Sequence, residues 1–158
     1  MTIRTATIDD ARAIADVHVA SWLAAYRGLV PEAVLHALSV ETRAVQWHGW
    51  LRAGETRTLV AGDVDGFVTF TETNGEIGAL YVAPERVRRG IGSALIEAAH
   101  AALHAAGRDE AYLWVFELNA PARAFYAGHR YVPDGARMVH ERTGAYEIRL
   151  FRMLAPRA

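Results

Sequence analysis

Residues 76–93 read EIGALYVAPERVRRGIGS, and this stretch decides the fold. Its first seven residues predict a strand, which Pro84 ends. A basic loop that contains Gly90 and Gly92 follows, and it opens into an alanine-rich amphipathic helix predicted over about 93–106. The sequence therefore predicts a strand, a glycine-containing loop and a helix in immediate succession.

This loop has the chemistry of an anion site. Glycine at positions 90 and 92 allows a ligand to approach the backbone closely, and the first turn of a helix presents unpaired N–H groups and the positive end of its dipole. Arg88 and Arg89 add positive charge suited to phosphates. We interpret the loop as a pyrophosphate cradle, with a tight turn that holds no ligand as the alternative.

Two other nucleotide loops do not fit. The dinucleotide-binding fingerprint requires a third small residue where this chain has Leu95. The chain contains no lysine, which excludes a P-loop, a Schiff base with pyridoxal phosphate and a lysine nucleophile. It also contains no cysteine, so disulfides, thiolate zinc sites and a cysteine nucleophile are excluded.

Outward from this segment, hydrophobic periodicity predicts alternating regions of helix and strand. Strands are predicted over 2–8, 56–61, 67–71, 76–82, 111–116, 136–141 and 146–153, and further helices over about 10–23, 32–38, 41–52 and 120–127. The pattern predicts one α+β domain over 1–158, with a mostly antiparallel sheet. A parallel strand–helix–strand step lies at its centre, from residue 76 to residue 116.

Length and composition limit the class of protein. The chain has 158 residues, 17.4 kDa and 52% hydrophobic residues, which suits one domain with a real core. Its formal net charge of −1 argues against a nucleic-acid partner. We find neither an apolar run of membrane-spanning length nor a signal-peptide pattern at the start. We therefore expect a soluble, cytoplasmic protein without a membrane partner.

Two separated motifs, in the expected order, resemble the GCN5-related N-acetyltransferase (GNAT) family. They are the RRGIGS loop at 88–93 and the segment NAPARAFY at 119–126, with supporting similarity in SWLAAYRG at 21–28. The resemblance covers nearly the whole chain. It implies a three-layer α/β fold with a splayed, mixed sheet of about seven strands flanked by helices. It also implies acetyl transfer from acetyl-CoA to a primary amine of a small molecule or peptide, no metal, and a homodimer.

The resemblance also assigns residues to the cofactor. Backbone groups of the strand before the loop would bond the pantetheine arm, loop amides would hold the pyrophosphate, and Asn119 would contact the cofactor near the thioester. The residues so assigned are Leu80, Tyr81 and Val82; Arg88, Arg89, Gly90, Ile91, Gly92 and Ser93; and Asn119 and Tyr126.

Two residues are the catalytic candidates that the resemblance implies. Glu76 would act as general base, directly or through water, and Tyr126 would approach the thioester sulfur and protonate the leaving thiolate. Because an acyl-enzyme thioester needs cysteine, we expect a ternary complex. Trp22 and Tyr26, one helical turn apart, are candidates for the acceptor pocket or for ordinary core or dimer packing.

Other roles remain open for several residues. Glu76 also suits a solvated charge at a strand end, and Tyr126 a packed helix tyrosine. Trp47 and Trp50 suggest core packing. His100 and His104 have a spacing that can bind metal, yet a solvated helix face is the stronger interpretation.

The chain departs from the family at two places. Val87 replaces the usual Gln or Arg at the head of the loop, and Arg130-Tyr131 replaces the usual Gly-Phe, which predicts a turn of different shape there. The competing functions are an acyl-CoA-binding sensor without catalysis and a pure interaction module.

Overall fold

The structure is a computed structural model, and it describes residues 1–154. A short 3₁₀ turn precedes the first helix. The helices are α1 (Ala11–Ala25), α2 (Glu32–His36), α3 (Val40–Ala53), α4 (Ile91–Ala105) and α5 (Ala120–Gly128). The strands are β1 (Ile3–Thr5), β2 (Arg57–Ala61), β3 (Gly66–Thr71), β4 (Glu76–Val82), β5 (Glu110–Phe116), β6 (Val132–Val139) and β7 (Tyr146–Met153).

The strands form one seven-stranded sheet in the order β1-β2-β3-β4-β5-β7-β6. Every neighbouring pair is antiparallel except β4 and β5, which are parallel and joined through α4. The α+β class, the splayed mixed sheet and the central parallel step predicted from the sequence are confirmed.

Each face of the sheet is covered by helices, because successive strand residues point to opposite sides. Leu59 and Ala61 of β2 join the core beneath α4, which contributes fully buried Leu95 and Ile96. Val60, between them, joins a second core with residues of α1 and α3. The result is three layers, with α4 and α5 on one face and α1 to α3 on the other.

Strands β4 and β5 pair only at their beginnings. Among the described residues, Glu76 and Tyr112 are the one pair of Cα partners that joins the two strands, and the Tyr112 N–H donates to the Gly75 carbonyl at 3.1 Å. Beyond this point, the two strands separate. The edge of β4 that faces β5 is therefore left without a neighbouring strand from Ile77 to Val82.

A β-bulge lies where this separation starts. Opposite β3, Thr69 is paired with Ala79 and Phe70 with Ile77, so Gly78 is an extra residue in β4. A bulge bends its strand and increases its twist. The bulge thus accompanies the turn of β4 away from β5.

One expectation from the sequence concerns the turn after α5. Arg130 adopts φ 70°, the left-handed conformation that glycine usually supplies, and Tyr131 is buried in the core under α4. The left-handed conformation costs about 1–2 kcal/mol for a non-glycine residue.

Three further expectations from the sequence are wrong in detail. His100 is buried rather than solvated, because its Nε2 lies 2.7 Å from the Tyr131 hydroxyl; His104 is exposed. Trp50 is 46% exposed and is not a core residue, whereas Trp47 is buried as expected. Strand β6 begins at Val132, four residues before the predicted start, because it extends along β7 through an irregular segment after Pro133.

Within residues 1–154, none of the helices has both the length and the apolar character needed to cross a bilayer.

Gly75 gives a test of what holds β4 against β5. A Cβ at Gly75 would lie 2.5 Å from the Glu110 carbonyl oxygen, and φ there is +83°. We expect Gly75→Ala to lower the free energy of unfolding by about 2–4 kcal/mol, since left-handed strain and overpacking add. Gly54→Ala is the matched control, because φ is +68° there but nothing lies within 4 Å. Urea denaturation measures both, and equal losses would contradict this account of Gly75.

Candidate active site

A cleft of about 720 Å³ lies where β4 and β5 separate. Its walls come from both strands, from α1 and α3 on one face of the sheet, and from the start of α5. Its volume is in the range of small-molecule sites. The cleft brings together six of the site residues predicted from the sequence, namely Trp22, Tyr26, Leu80, Tyr81, Asn119 and Tyr126.

The loop before α4 has the backbone of an anion site. Arg88 and Gly90 both adopt left-handed conformations, with φ 63° and 79°, and Gly90 is the N-cap of α4. The N–H groups of the first helical turn, which includes Ile91 and Ser93, have no carbonyl four residues earlier in the helix. Strain at a non-glycine residue such as Arg88 is typical of ligand-binding loops.

The two loop glycines serve different purposes. At Gly90 a Cβ would meet nothing within 4 Å, so the requirement there is the left-handed backbone. At Gly92 a Cβ would lie 3.4 Å from the Phe125 ring and 3.7 Å from Val82. Gly92 therefore sets the close packing of α4 against α5 and the end of β4.

Charge around the loop is positive and accessible. Arg88 and Arg89 are exposed, and neither forms an ion pair with a carboxylate in the described part of the chain. Arg86 lies 3.6 Å from Asp65 and ties the loop to the turn between β2 and β3. The Ser93 hydroxyl lies 3.0 Å from His129 Nε2, so the side chain of Ser93 already has a partner.

The free edge of β4 leads from this loop into the cleft. Leu80 and Tyr81 line the cleft, and both belong to the part of β4 that has no partner on the β5 side. The Val82 carbonyl accepts a hydrogen bond from the Ser21 hydroxyl at 3.1 Å, which ties β4 to α1. The unpaired backbone groups of this edge can bond an extended ligand arm.

Aromatic rings form the wall of the cleft on the α1 side. Trp22 Nε1 donates to the Tyr81 hydroxyl at 3.0 Å, and the Tyr26 hydroxyl lies 3.1 Å from the same oxygen. Trp47 and Trp50 pack edge to face at 5.1 Å and also line the cleft. The rings of Trp22 and Tyr26 thus serve both packing and the cleft wall.

Asn119 and Tyr126 place polar groups of α5 in the cleft. Asn119 Oδ1 accepts from the Ala122 N–H at 3.3 Å as the N-cap of α5, and its amide group faces no other described partner. The Tyr126 hydroxyl makes no hydrogen bond within residues 1–154, and burial raises the pKa of this phenol. Tyr126 therefore keeps its proton at neutral pH and has it available for donation.

Glu55 and Glu147 are carboxylates that line the cleft, whereas Glu76 lies nearby without lining it. Glu76 is half-buried at the start of β4, where its Oε2 accepts from the Tyr112 hydroxyl at 2.9 Å, and it is not among the lining residues. Glu147, on β7, lines the cleft, and burial raises the pKa of its carboxyl, against a smaller lowering by His140 and with a small further rise from Glu76. A half-buried carboxyl with a raised pKa is typical of a general base.

The opposite side of the cleft carries a positive field. His18 Nδ1 accepts from Trp47 Nε1 at 3.0 Å, and the ring stacks on Tyr81 at 5.2 Å. Burial, with smaller effects of Arg43 and Arg142, lowers the pKa of His18 to about 4. His18 is therefore neutral at pH 7 and serves the wall as a hydrogen-bond acceptor.

The described residues hold no group of three or more His, Asp or Glu side chains placed to bind a metal.

Several residues of the cleft were not predicted from the sequence, among them Glu147, Arg43 and His140. Each of these three lies in a segment without a motif. The polar–apolar alternation of β7 places Glu147 on one face, but only the sheet order shows that this face lies in the cleft. Nothing in the sequence near Arg43 distinguishes it from other arginines on helix surfaces.

Comparison with known proteins identifies the family. A family model described as the acetyltransferase (GNAT) family matches residues 16–129. YuaI, an uncharacterized N-acetyltransferase of Bacillus subtilis (strain 168), is 31% identical over 140 residues, which cover 82% of this chain and 79% of YuaI.

Solved structures share the fold. A GCN5-related N-acetyltransferase from Rhodopseudomonas palustris superposes with a TM-score of 0.82 at 23% identity, covering 97% of this chain and 95% of the other. The PaiA N-acetyltransferase of Thermoplasma acidophilum, in complex with coenzyme A, gives a TM-score of 0.71 at 21% identity and coverage of 94% and 98%.

The buried state of His18 predicts a pH dependence of stability. Its pKa is about 4 in the folded state and 6.5 for an unperturbed histidine, so the unfolded chain binds more protons between these values. The free energy of unfolding should therefore fall as pH drops from 6.5 to 4, with His18 contributing up to about 1.4 kcal/mol per pH unit.

Urea denaturation at several pH values checks this contribution. His18→Gln should show a shallower loss of stability in this range than the wild type. The control is His48→Gln, an exposed residue of α3, which should keep the wild-type slope. An unchanged slope in His18→Gln would show that His18 is not held neutral by the fold.

Proposed function

The chain belongs to the acetyltransferase (GNAT) family, and from this premise we propose that it transfers the acetyl group of acetyl-CoA to a primary amine of a small molecule or peptide. One observation carries the proposal. The unpaired edge of β4 runs from an anion-binding loop into a cleft that contains the Tyr126 phenol. A relative of the same fold that holds coenzyme A supports the choice of donor.

The donor would bind along β4. First-turn amides of α4, with Arg88 and Arg89, would hold the pyrophosphate, because a helix N-terminus and arginine both favour phosphate oxygens. Backbone groups of Leu80, Tyr81 and Val82 would bond the pantetheine arm as a neighbouring strand would. Asn119, with its amide group unengaged, would contact the cofactor near the thioester.

The chemistry is direct attack in a ternary complex. The amine nitrogen forms a bond to the thioester carbon, a carboxylate takes one proton from the nitrogen, and the carbon–sulfur bond breaks. Tyr126 then donates its proton to the departing thiolate, which leaves as coenzyme A. A backbone N–H near Val82 would stabilise the oxyanion of the tetrahedral intermediate.

The proton acceptor is either Glu76 or Glu147. Glu76 is the base that the family resemblance implies, but the Tyr112 hydroxyl already occupies one of its oxygens. Glu147 has the stronger structural case, because it lines the cleft and its raised pKa makes it the better base. We therefore propose that Glu147 takes the proton and that Glu76, through Tyr112, supports the position of β5.

The second candidate function is an acyl-CoA-binding sensor. It is favoured by the position of Glu76, which leaves the base implied by the resemblance outside the cleft. Such a protein would bind acetyl-CoA without releasing coenzyme A. A homodimer and a cytoplasmic location stay predictions from the sequence.

Substitution of Tyr126 tests the enzyme against the sensor. We incubate the protein with acetyl-CoA and a panel of polyamines, amino sugars and peptides, and measure coenzyme A release. Tyr126→Phe should lower kcat by about 10²- to 10⁴-fold while acetyl-CoA still stabilises the fold against heat. Tyr146→Phe, at an exposed tyrosine of β7, is the control. Binding without turnover by the wild type would support the sensor and contradict the enzyme.

A pair of carboxylate variants identifies the base. We expect Glu147→Gln to lower kcat by at least about 10²-fold at neutral pH, since general bases contribute 10²- to 10⁴-fold. It should also remove the fall in rate that the wild type shows as pH drops through the raised pKa of Glu147. Glu76→Gln should lower kcat far less and keep that pH profile. The reverse pattern would assign the base to Glu76.

A further inference from the structure

Arg43 is a cation without a partner in the wall of the cleft. It lies on α3, is half-buried and lines the cleft. Within residues 1–154 its guanidinium forms neither an ion pair within 4 Å nor a hydrogen bond, and no aromatic ring lies beneath it. Other arginines at the surface of this protein, such as Arg4 and Arg57, do have carboxylate partners.

No carboxylate of the described chain offsets the charge of Arg43. Burial lowers the pKa of Arg43, and Arg142 in the loop between β6 and β7 lowers it further, against a smaller opposite effect of Tyr81, so its charged form lacks a stabilising partner. Both arginines also contribute to the lowered pKa of His18, which lines the cleft with Arg43, after the larger effect of burial. Glu55 and Glu147 are the carboxylates of the cleft wall, and neither lies within ion-pair distance of Arg43.

Tyr81, Arg43 and Glu147 all line the cleft. Burial raises the pKa of the Tyr81 hydroxyl, and among smaller effects Glu147 raises it and Arg43 lowers it. The cleft therefore presents a carboxylate and an unpaired guanidinium on a shared aromatic wall. A bound molecule with both a positive and a negative group would satisfy both ends.

We propose that the acceptor carries an oxyanion group, a carboxylate or a phosphate, in addition to its amine, and that Arg43 binds this group. Glu147 faces the amine, and the Trp22, Trp47 and Tyr26 rings contact an apolar body between the two groups. The inference rests on the proposed function, because the amine is defined by the transfer reaction.

The physical reason is the cost of leaving a charge half-buried without a partner. Arginine presents a planar set of donors that matches a carboxylate or a phosphate with two parallel hydrogen bonds. A ligand oxyanion would provide the partner that the protein itself does not. An amine without such a group would leave Arg43 unsatisfied and would bind less tightly.

Matched pairs of ligands test the proposal by equilibrium binding. Titration calorimetry on protein saturated with coenzyme A measures Kd for phenylalanine against phenethylamine, tryptophan against tryptamine, and O-phosphoethanolamine against ethanolamine. We expect the anionic member of at least one pair to bind about 10- to 100-fold more tightly. The first two pairs report a carboxylate and the third reports a phosphate.

Substitution at Arg43 then assigns the preference. Arg43→Gln should abolish this preference and leave unchanged the affinity of the partner amine that lacks the oxyanion, and Arg43→Lys should restore part of the preference. Arg52→Gln, at an exposed arginine of the same helix, should keep the wild-type preference. Equal binding within every pair, or a preference that survives Arg43→Gln, overturns the proposal. Weaker binding of coenzyme A itself in Arg43→Gln also overturns it, by assigning Arg43 to the donor.

The binding readout separates this inference from the proposed function. If the anionic amines bind through Arg43 but coenzyme A is never released from acetyl-CoA, the acetyl-transfer proposal fails and the anion subsite stands. If coenzyme A is released with amines that lack an anionic group as readily as with their anionic partners, the transfer reaction stands and the Arg43 subsite fails.

Discussion

The cleft depends on the separation of two parallel strands. β4 and β5 meet at Glu76 and Tyr112, and beyond that pair β4 has a bonded neighbour on one side only. Unpaired backbone groups inside a protein are costly unless something bonds them. In this fold they form the wall of a cleft, so a ligand that lies along β4 can supply the bonds that β5 does not.

Several local features maintain the separation of β4 from β5. Gly75 lets the turn before β4 approach the Glu110 carbonyl, while the bulge at Gly78 bends the strand as it leaves its neighbour. Ser21 ties the far end of β4 to α1. Trp22, Tyr26 and His18 of α1 and the turn after it contact Tyr81 on the same strand. These contacts help to hold β4 in place between the anion loop and the cleft wall.

The features of the structure that could be predicted from the sequence are those that depend on residues close together in the chain. The loop with Gly90 and Gly92 contains its own turn and helix start within a few residues, and hydrophobic periodicity predicts the sheet and helices around it. Glu147 and Arg43 lie 104 residues apart in the chain. They line the same cleft only because the order of the strands brings their elements together. The partner of Glu76 was likewise not predictable, because Tyr112 reaches it from another strand. The buried state of His100 depends on Tyr131, after α5, for the same reason.

The most direct measurement of the central claim is a crystal structure of the protein with coenzyme A. The account predicts the pantetheine arm along the free edge of β4, bonded to main-chain groups of Leu80 to Val82, with the diphosphate on the amides between Arg88 and Ser93. Coenzyme A bound away from β4, or a diphosphate that contacts none of these amides, would contradict it.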